Sequence, residues 1–353
     1  MSSLIRKSVQ AMTPYVPGEQ PRDRDVVKLN TNENPYPPSP RVREVLEDFD
    51  TSDLAVYPDP TCSALRHRIA EIHHVGEEQV IVGNGTDELL ALCTRAFVEP
   101  GGVVGAFDLT YSLYPVLSEI QDLEYRSVPL GKHFEWAMPL DANYDLFFLA
   151  NPNAPTGTSF AIDDVRRLCA HVAGVVLIDE AYVEFANGDC MGLVQESDNV
   201  IVTRTLSKAF SLAGLRLGYA IGPEELIKAL LTIKDSYNVS RLTQELGLAA
   251  LSDLEHMREN CEAICRTRKR VRTGLVKMGF EALDSKANFL WVKPPRVSAE
   301  ELFEELRKVA IVVRYFPGEM TGEYLRISIG TDEEMDRFLD ETRDILIGEA
   351  SNE

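Results

Sequence analysis

One lysine in this sequence stands where it could act as a nucleophile. Lys208 follows Thr205 and Ser207 in an apolar, small-residue run, and Arg216 comes eight positions later. A lysine in such surroundings loses its proton more readily than in water, and a neutral amine forms an imine with an aldehyde. The hydroxyls and the arginine could bind a phosphate, so the run fits pyridoxal phosphate. An ordinary strand-to-helix junction with a solvated lysine fits it about equally well.

Three polar residues upstream could complete a site for an aromatic cofactor. Asp179 ends the apolar run 175–178, and a carboxylate fixed there would keep a pyridine nitrogen protonated. Asn153, in the proline-rich segment 151–157, could hydrogen-bond the 3-oxygen of the ring, and Tyr182 could donate to the same oxygen. The alternatives are a helix N-cap for Asp179 and a plain Asx-Pro turn for Asn153.

A glycine loop, a tyrosine and an arginine extend this series. Gly85, Thr86 and Asp87 lie between a strand and a helix, where backbone amides and the helix dipole favour a phosphate. Tyr111 could stack on a cofactor, although a core tyrosine is the simpler interpretation. Arg326, in an apolar strand, needs a carboxylate from a substrate or from an internal salt bridge. Together these residues, most of them at strand ends, favour a cofactor site.

The elements that would position these residues follow from apolar runs. Strands are predicted at 80–82, 103–107, 146–149, 175–178, 200–202 and 217–221, with helical patterns such as 87–97 and 162–171 between several of them. Several runs are apolar on both faces, which predicts a mostly parallel sheet covered by helices, an α/β architecture. A helical stretch at 239–277 and strands at 289–292, 311–314 and 324–328 predict a smaller α+β domain.

Three regions are predicted along the chain. Residues 1–44 form an N-terminal arm and part of the small domain, with an extended proline-rich segment at 34–40. Residues 45–235 form the large domain that would bind the cofactor. Residues 236–353 form a linking helix and the small C-terminal domain.

The composition limits the partners. With 36 basic and 56 acidic residues among 353, the net charge of −20 argues against nucleic acid and anionic membranes. No run is long enough to cross a bilayer, and the first residues lack the apolar stretch of a signal peptide. Six cysteines do not make a disulfide framework, and Cys261 with Cys265 completes no metal site. We therefore expect reduced thiols in a cytoplasmic protein and no metal.

Several segments carry a resemblance to a known family. The chain resembles the fold-type I pyridoxal-phosphate enzymes, and among them the histidinol-phosphate aminotransferases, nearly from end to end. The matching segments are 28–36, 57–59, 179–185 and the run around Lys208. Ala154 and Ser211 depart from the pattern, where the family often has asparagine and glycine. The resemblance implies a large domain with a seven-stranded sheet, a small α+β domain and a homodimer with active sites at the subunit interface.

The resemblance also implies a role for each residue. Lys208 would be the imine lysine and proton carrier, and Asp179 and Tyr182 would act with it in catalysis. The residues expected to bind pyridoxal 5′-phosphate are Gly85, Thr86, Asp87, Tyr111, Asn153, Asp179, Tyr182, Thr205, Ser207, Lys208 and Arg216, with Tyr57 reaching the cofactor phosphate of the partner subunit. The residues expected to bind substrate are Tyr15, Asn153, Arg314 and Arg326.

The implied reaction is transamination of L-histidinol phosphate with 2-oxoglutarate, which gives imidazole-acetol phosphate and L-glutamate in histidine biosynthesis. Two alternatives use the same scaffold, an L-threonine-O-3-phosphate decarboxylase and an aromatic-amino-acid aminotransferase. A non-catalytic protein that binds pyridoxal phosphate is a third, which the intact lysine, aspartate and arginines disfavour.

Overall fold

A computed structural model describes residues 4–22, 25–132, 134–136 and 143–350. The strands in this part of the chain are β1 (Val27–Lys28), β2 (Val80–Gly83), β3 (Val103–Phe107), β4 (Glu124–Val128), β5 (Leu146–Ala150), β6 (Val175–Asp179), β7 (Val200–Thr205), β8 (Gly218–Ile221), β9 (Glu281–Ala282), β10 (Phe289–Lys293), β11 (Ile311–Val312), β12 (Arg314–Tyr315) and β13 (Leu325–Ser328).

The α-helices lie between these strands and flank them. They are α1 (Lys7–Ala11), α2 (Pro40–Asp48), α3 (Ser63–His73), α4 (Thr86–Phe97), α5 (Leu113–Ile120), α6 (Ile162–His171), α7 (Leu193–Glu196), α8 (Glu224–Ile233), α9 (Arg241–Leu251), α10 (Leu254–Lys277), α11 (Ala299–Lys308) and α12 (Asp332–Ala350). None of the described helices combines the length and the apolar composition that crossing a bilayer requires.

A seven-stranded sheet in the order β2-β8-β7-β6-β5-β3-β4 forms the centre of the fold. Strands β4, β3, β5, β6 and β7 pair in parallel, and β8 is antiparallel to both β7 and β2. Every residue of β5, β6 and β7 is buried, as expected for strands covered on both faces by helices. The predicted α/β fold with a mostly parallel seven-stranded sheet is therefore confirmed.

Two smaller sheets lie in the C-terminal half. Strands β12, β13, β10 and β9 form an antiparallel sheet in that order. Strand β1 pairs in parallel with β11, so Val27 lies opposite Ile311. A strand of the N-terminal segment thus pairs with a strand of the C-terminal part of the chain. The exact domain limits stay a prediction.

The long helical stretch predicted at 239–277 is divided into α9 and α10. The break falls at Ser252 and Asp253, and the Asp253 side chain accepts a hydrogen bond from the backbone of His256 and so caps α10. The proline-rich segment bends at Pro35 and Tyr36, and the hydroxyl of Ser39 caps α2 with Pro40 in its first turn. The strand predicted at 311–314 is interrupted at Val313, which separates β11 from β12.

A partly buried ion cluster holds the ends of β6 and β7 together. Arg204 contacts Glu180 at 2.8 Å and Asp189 at 2.8 Å, and the Glu180 side chain is fully buried. Glu180 also accepts a 2.5 Å hydrogen bond from the backbone N–H of Cys190. Glu180 directly follows Asp179, and Arg204 directly precedes Thr205. The cluster therefore fixes two strand ends that carry predicted site residues.

Candidate active site

A cavity of about 300 Å³ opens at one edge of the large sheet. The neighbouring strands β5, β6 and β7 end there with Ala150, Asp179 and Thr205, which all line the cavity. Binding sites in α/β folds lie at the carboxyl ends of parallel strands, where side chains from successive strands converge. The opposite wall comes from the N-terminal segment and the four-stranded sheet, with Asn32 and Arg326 among its residues.

Lys208 faces this cavity from the turn after β7. Its Nζ donates a 3.1 Å hydrogen bond to the carbonyl oxygen of Thr31 and lies 5.9 Å from the centroid of the Tyr182 ring. Burial, followed by the positive charge of Arg326, lowers the pKa of Lys208 to about 8, although Glu33 acts in the opposite direction. A substantial fraction of this amine is therefore neutral near pH 8, as a nucleophilic lysine requires.

Asp179 lines the same cavity and is only 5% exposed. One carboxylate oxygen accepts a 2.9 Å hydrogen bond from the Tyr114 hydroxyl, and the other accepts from the backbone N–H of Ala181 at 3.2 Å. Burial raises the pKa of Asp179 to about 6, with these hydrogen bonds opposing the rise. Burial destabilises the ionised form of this carboxyl unless a positive charge lies beside it. The site therefore suits a buried cationic partner, such as a protonated ring nitrogen.

Hydroxyls and a guanidinium gather at the start of α4. Thr205 and Ser207 share a 2.9 Å hydrogen bond, and Arg216 donates to the Ser207 hydroxyl at 3.4 Å and lies 3.3 Å from Asp87. Gly85 precedes α4 with φ +80, and a Cβ there would lie 2.7 Å from the Arg216 guanidinium. The positive φ favours glycine here, since a side chain would be strained and would displace the guanidinium, and the donors form a group suited to a phosphate.

Tyr111 stands beside this group of donors. Its hydroxyl donates to Asp87 at 3.2 Å, and its ring makes edge contacts with Tyr15 at 6.1 Å and Tyr114 at 5.6 Å between centroids. Burial raises the pKa of Tyr111 well above its usual value. The ring is thus held in one orientation at the cavity wall, where stacking on a flat ligand is possible.

Asn153 is fully buried and is not among the residues that line the cavity. Two cis peptide bonds, Asn151–Pro152 and Ala154–Pro155, bracket it. Its amide nitrogen donates to the Leu109 carbonyl at 2.9 Å and to the Thr156 hydroxyl at 3.0 Å, which uses both N–H groups. The structure therefore places Asn153 behind the cavity, and its predicted bonds to the cofactor and substrate stay predictions.

Arg326 faces the cavity without an acidic partner in the described part of the chain. One of its terminal nitrogens donates to the Asn30 carbonyl at 3.1 Å, whereas its buried Nε has no hydrogen-bond partner among the described residues. The guanidinium lies 5.4 Å from the Phe289 ring centroid and 5.2 Å from that of Phe316. A partly buried guanidinium whose buried Nε has a free donor suits an anionic ligand.

Arg314 contacts the N-terminal segment. It donates to the Val16 carbonyl at 2.8 Å and to the Pro17 carbonyl at 3.2 Å, and it lies 5.0 Å from the Phe316 ring centroid. Arg314 and Tyr15 both line the cavity. The guanidinium that was predicted to bind substrate therefore also holds the segment that carries Tyr15.

Tyr57 lies away from the cavity of its own chain. Its side chain is 74% exposed and stacks on Tyr237, with 4.4 Å between ring centroids and 17° between planes. An exposed, pre-oriented aromatic pair is compatible with the predicted reach into a partner subunit, which stays a prediction.

Two residues that the sequence did not single out for a role support the site. Tyr114 donates to Asp179, and Asn32 donates to the Tyr182 hydroxyl at 3.0 Å. Asn32 lies within the segment 28–36 that carried the resemblance, so a signal was present without a role attached to it. Among the described residues, no group of three or more His, Cys, Asp or Glu could hold a metal ion.

A comparison with known families decides the classification. The model of the family aminotransferase class I and II matches residues 24–341. The chain belongs to this family. The predicted pyridoxal-phosphate-dependent aminotransferase is therefore confirmed, and the cavity with Lys208 and Asp179 is the candidate active site of such an enzyme.

Relatives place the aminotransferase more closely. It is 46% identical over 348 residues to the histidinol-phosphate aminotransferase of Chromohalobacter salexigens, which covers 96% of this chain and 98% of the relative. The predicted resemblance to that subfamily is confirmed.

Two solved structures share the fold. The histidinol-phosphate aminotransferase of Sinorhizobium meliloti, in complex with pyridoxal-5′-phosphate, has a TM-score of 0.88 at 24% identity and covers 99% of each chain. The L-threonine-O-3-phosphate decarboxylase of Porphyromonas gingivalis has a TM-score of 0.81 at 20% identity and covers 91% of this chain and 99% of that one. The fold therefore does not separate a transaminase from a decarboxylase.

Proposed function

We propose that this aminotransferase transfers the amino group of L-histidinol phosphate to 2-oxoglutarate, which gives imidazole-acetol phosphate and L-glutamate. The name and full-length similarity of the Chromohalobacter relative support this substrate pair. The observation that carries the proposal is the arrangement of Lys208, Asp179 and the partly unpartnered Arg326 around one cavity. Both substrates are anionic, and a partly buried guanidinium with a free Nε donor suits them.

The residues of the cavity fit pyridoxal phosphate. The Asp179 carboxylate would face the ring nitrogen, the Tyr182 hydroxyl would face the 3-oxygen, and the donors Thr205, Ser207 and Arg216 would face the phosphate. When bound, this cofactor supplies an electron sink for the carbon that carries the amino group. The chain supplies orientation, charge and a base.

Lys208 is the base in this proposal. Its Nζ would accept the proton that leaves the substrate carbon bearing the amino group, and it would hold that proton until it is delivered across the amino nitrogen. The pKa of Lys208, lowered to about 8, keeps the amine close to the balance between its neutral and charged forms. The Thr31 carbonyl, 3.1 Å from Nζ, would hold the amine between the two positions.

The anionic substrates would be bound from the opposite wall. Arg326 would pair with the α-carboxylate of 2-oxoglutarate or with the phosphate of histidinol phosphate. Arg314 and Tyr15 would add to the phosphate site, and the bonds from Arg314 to the backbone of Val16 and Pro17 would tie the N-terminal segment to that site. Water would be excluded because this segment lies along the cavity.

The proposal includes a homodimer in which Tyr57 reaches the cofactor phosphate of the partner subunit. The exposed stack of Tyr57 on Tyr237 supports it, because two-fold symmetry would bring such a protruding pair to an equivalent site. We also propose the three regions 1–44, 45–235 and 236–353 as the domain organisation. A cytoplasmic location is proposed from the cysteines, five of which are buried in the core.

Amino transfer can be tested with three donors side by side. L-histidinol phosphate, L-phenylalanine and L-threonine-O-3-phosphate are each incubated with 2-oxoglutarate, and glutamate and carbon dioxide are measured. We expect glutamate to form fastest from histidinol phosphate. Release of carbon dioxide from the threonine phosphate without glutamate would identify a decarboxylase, and preference for phenylalanine would identify an aromatic aminotransferase.

The role of Lys208 is tested by substitution. Lys208→Ala should abolish turnover and the visible absorbance of the lysine-bound cofactor. Lys308→Ala, at an exposed lysine of α11 that pairs with Glu305, is the matched control and should leave both unchanged. Full turnover in the Lys208 variant would disprove the assignment.

A further inference from the structure

Asn32 combines complete burial with an unusual backbone conformation. It is 1% exposed and has φ 56, in the left-handed region that few residues other than glycine adopt. Asparagine tolerates this region better than most residues, yet the conformation persists only where the surrounding structure imposes it. Residues held in such conformations cluster at functional sites, and Asn32 lines the cavity.

Four hydrogen bonds impose the conformation of Asn32. Its backbone N–H donates to the Ser328 hydroxyl at 2.8 Å, and that hydroxyl donates back to the Asn32 side-chain oxygen at 3.0 Å. Its carbonyl accepts from Asn288 at 2.9 Å. The fourth bond runs from the Asn32 side-chain nitrogen to the Tyr182 hydroxyl oxygen at 3.0 Å.

These bonds decide which way the Asn32 amide points. The Ser328 hydroxyl hydrogen has one acceptor among the described residues, the Asn32 side-chain oxygen, and a flipped amide would leave that hydrogen without a partner. The NH₂ group of the amide must then face Tyr182 and act as the donor. The hydroxyl hydrogen of Tyr182 therefore cannot point at Asn32.

The remaining direction for that hydrogen is the cavity. Tyr182 lines the cavity, and its hydroxyl has no other partner among the described residues. Burial raises the pKa of Tyr182, whereas Arg326 and the bond from Asn32 act against the rise. Both N–H groups of Asn153 are used elsewhere, so Tyr182 is the more available donor.

We propose that Asn32 is a positioning residue, whose amide donates to Tyr182 and so turns the tyrosine hydroxyl hydrogen toward the 3-oxygen of the cofactor. This inference rests on the proposed function, since it requires bound pyridoxal phosphate. Asn32 does not touch the reacting atoms in this proposal. It acts through Tyr182, and it joins the N-terminal segment to β13 and to the residue before β10.

The effect of this bond can be read from the absorbance of the bound cofactor. A hydrogen bond to the 3-oxygen withdraws negative charge that would otherwise stabilise a proton on the neighbouring lysine-bound nitrogen. Loss of that bond should therefore raise the pH at which the visible band of the holoenzyme changes. A hydrogen bond of ordinary strength corresponds to a shift of about 0.5 to 1 pH unit.

Two substitutions separate the amide from the backbone. Asn32→Gly removes the side chain and keeps a residue that favours positive φ, whereas Asn32→Ala removes the same group but strains the backbone. We expect both holoenzymes to show the upward shift. Asn32→Asp retains the size but offers only acceptors, so it should draw the hydroxyl hydrogen away from the cavity and shift the band at least as far. It serves as the test if the glycine variant does not fold.

Tyr182→Phe provides the decisive control. This variant should show the upward shift by itself, and adding Asn32→Gly to it should produce no further change, because both act through one hydroxyl. A glycine variant with an unchanged midpoint, or one that adds its own full shift to that of Tyr182→Phe, would overturn the role of Asn32.

Failure of the proposed function has a different signature. If the unsubstituted protein mixed with pyridoxal phosphate gave no visible band, or a band that survives in Lys208→Ala, the cofactor site itself would be wrong and this inference would end with it.

Discussion

Replacing Asp179 with asparagine should stabilise the cofactor-free protein at neutral pH while it destroys activity. Burial holds the pKa of Asp179 at about 6, against a usual value of 3.8. The folded chain thus binds this proton more tightly than the unfolded chain, so the carboxyl opposes folding increasingly as pH rises from about 4 to about 6. At about 1.4 kcal/mol for each pH unit, the full effect is about 3 kcal/mol.

The expected difference between the two proteins follows from this window. About 2 kcal/mol of it falls between pH 4.5 and pH 7.5, and the less suitable hydrogen bonds of asparagine with Tyr114 and Ala181 subtract about 1 kcal/mol at every pH. Urea unfolding of both cofactor-free proteins measures the free energy of unfolding at each pH. The free energy of unfolding of Asp179→Asn, relative to that of the unsubstituted protein, should increase as pH rises.

A surface aspartate gives the matched control. Ser8, and then Arg6, lower the pKa of Asp122, which is exposed. The free energy of unfolding of Asp122→Asn should therefore decrease relative to that of the unsubstituted protein as pH rises, which is the opposite direction. The burial argument would be refuted if the difference in the free energy of unfolding for Asp179→Asn did not change with pH, or if it changed in the same direction as for Asp122→Asn. Turnover of Asp179→Asn should fall about 100-fold or more, because a preorganised charge is lost.

Three further outcomes are expected. Arg204→Leu should lower the free energy of unfolding by about 3–5 kcal/mol in urea titrations, because it leaves a buried carboxylate unpaired. Gly85→Ala should weaken pyridoxal-phosphate binding about tenfold in fluorescence titrations, because the new Cβ would be strained at positive φ and would contact the Arg216 guanidinium. Gly214→Ala is the control, and it should not weaken binding because there is open space around Gly214. Stopped-flow absorbance measures the rate at which the cofactor-free protein binds pyridoxal phosphate, and this rate should rise with pH to a plateau above about 8 as Lys208 becomes neutral. Arg326→Gln should raise the pH midpoint of this rise, because the charge of Arg326 lowers the pKa of Lys208. A rate independent of pH would contradict the lowered pKa.

Much of the large sheet could be predicted because its strands are continuous apolar runs. All six runs identified in the large domain are strands, since burial on both faces leaves little room for polar residues. Strand β4 (Glu124–Val128) was not identified. It is one of the two edge strands of this sheet and pairs only with β3, and its residues are exposed or half-buried, unlike those of the other edge strand, β2. An edge strand tolerates polar side chains and so lacks the pattern that reveals a buried one.

The site itself was only partly readable. Lys208 and Asp179 could be placed because each follows a buried strand and such ends converge at one edge. The bond from Asn32 to Tyr182 and the bonds from Arg314 to the N-terminal segment could not be predicted, because these partners lie far away in the sequence. The engagement of both Asn153 donors was equally hidden, since it depends on how the turn folds against Leu109.

The pairing of β1 with β11 sets an order of events during synthesis. Residues 27–32 leave the ribosome well before their partners, because Val27 pairs with Ile311 and Asn32 bonds to Ser328, which follows it by 296 positions. The large sheet can be completed from chain already made, while the N-terminal segment must wait for the last strands. A nascent chain thus holds Lys208 and Asp179 of the candidate site before the N-terminal segment can close the pocket around them.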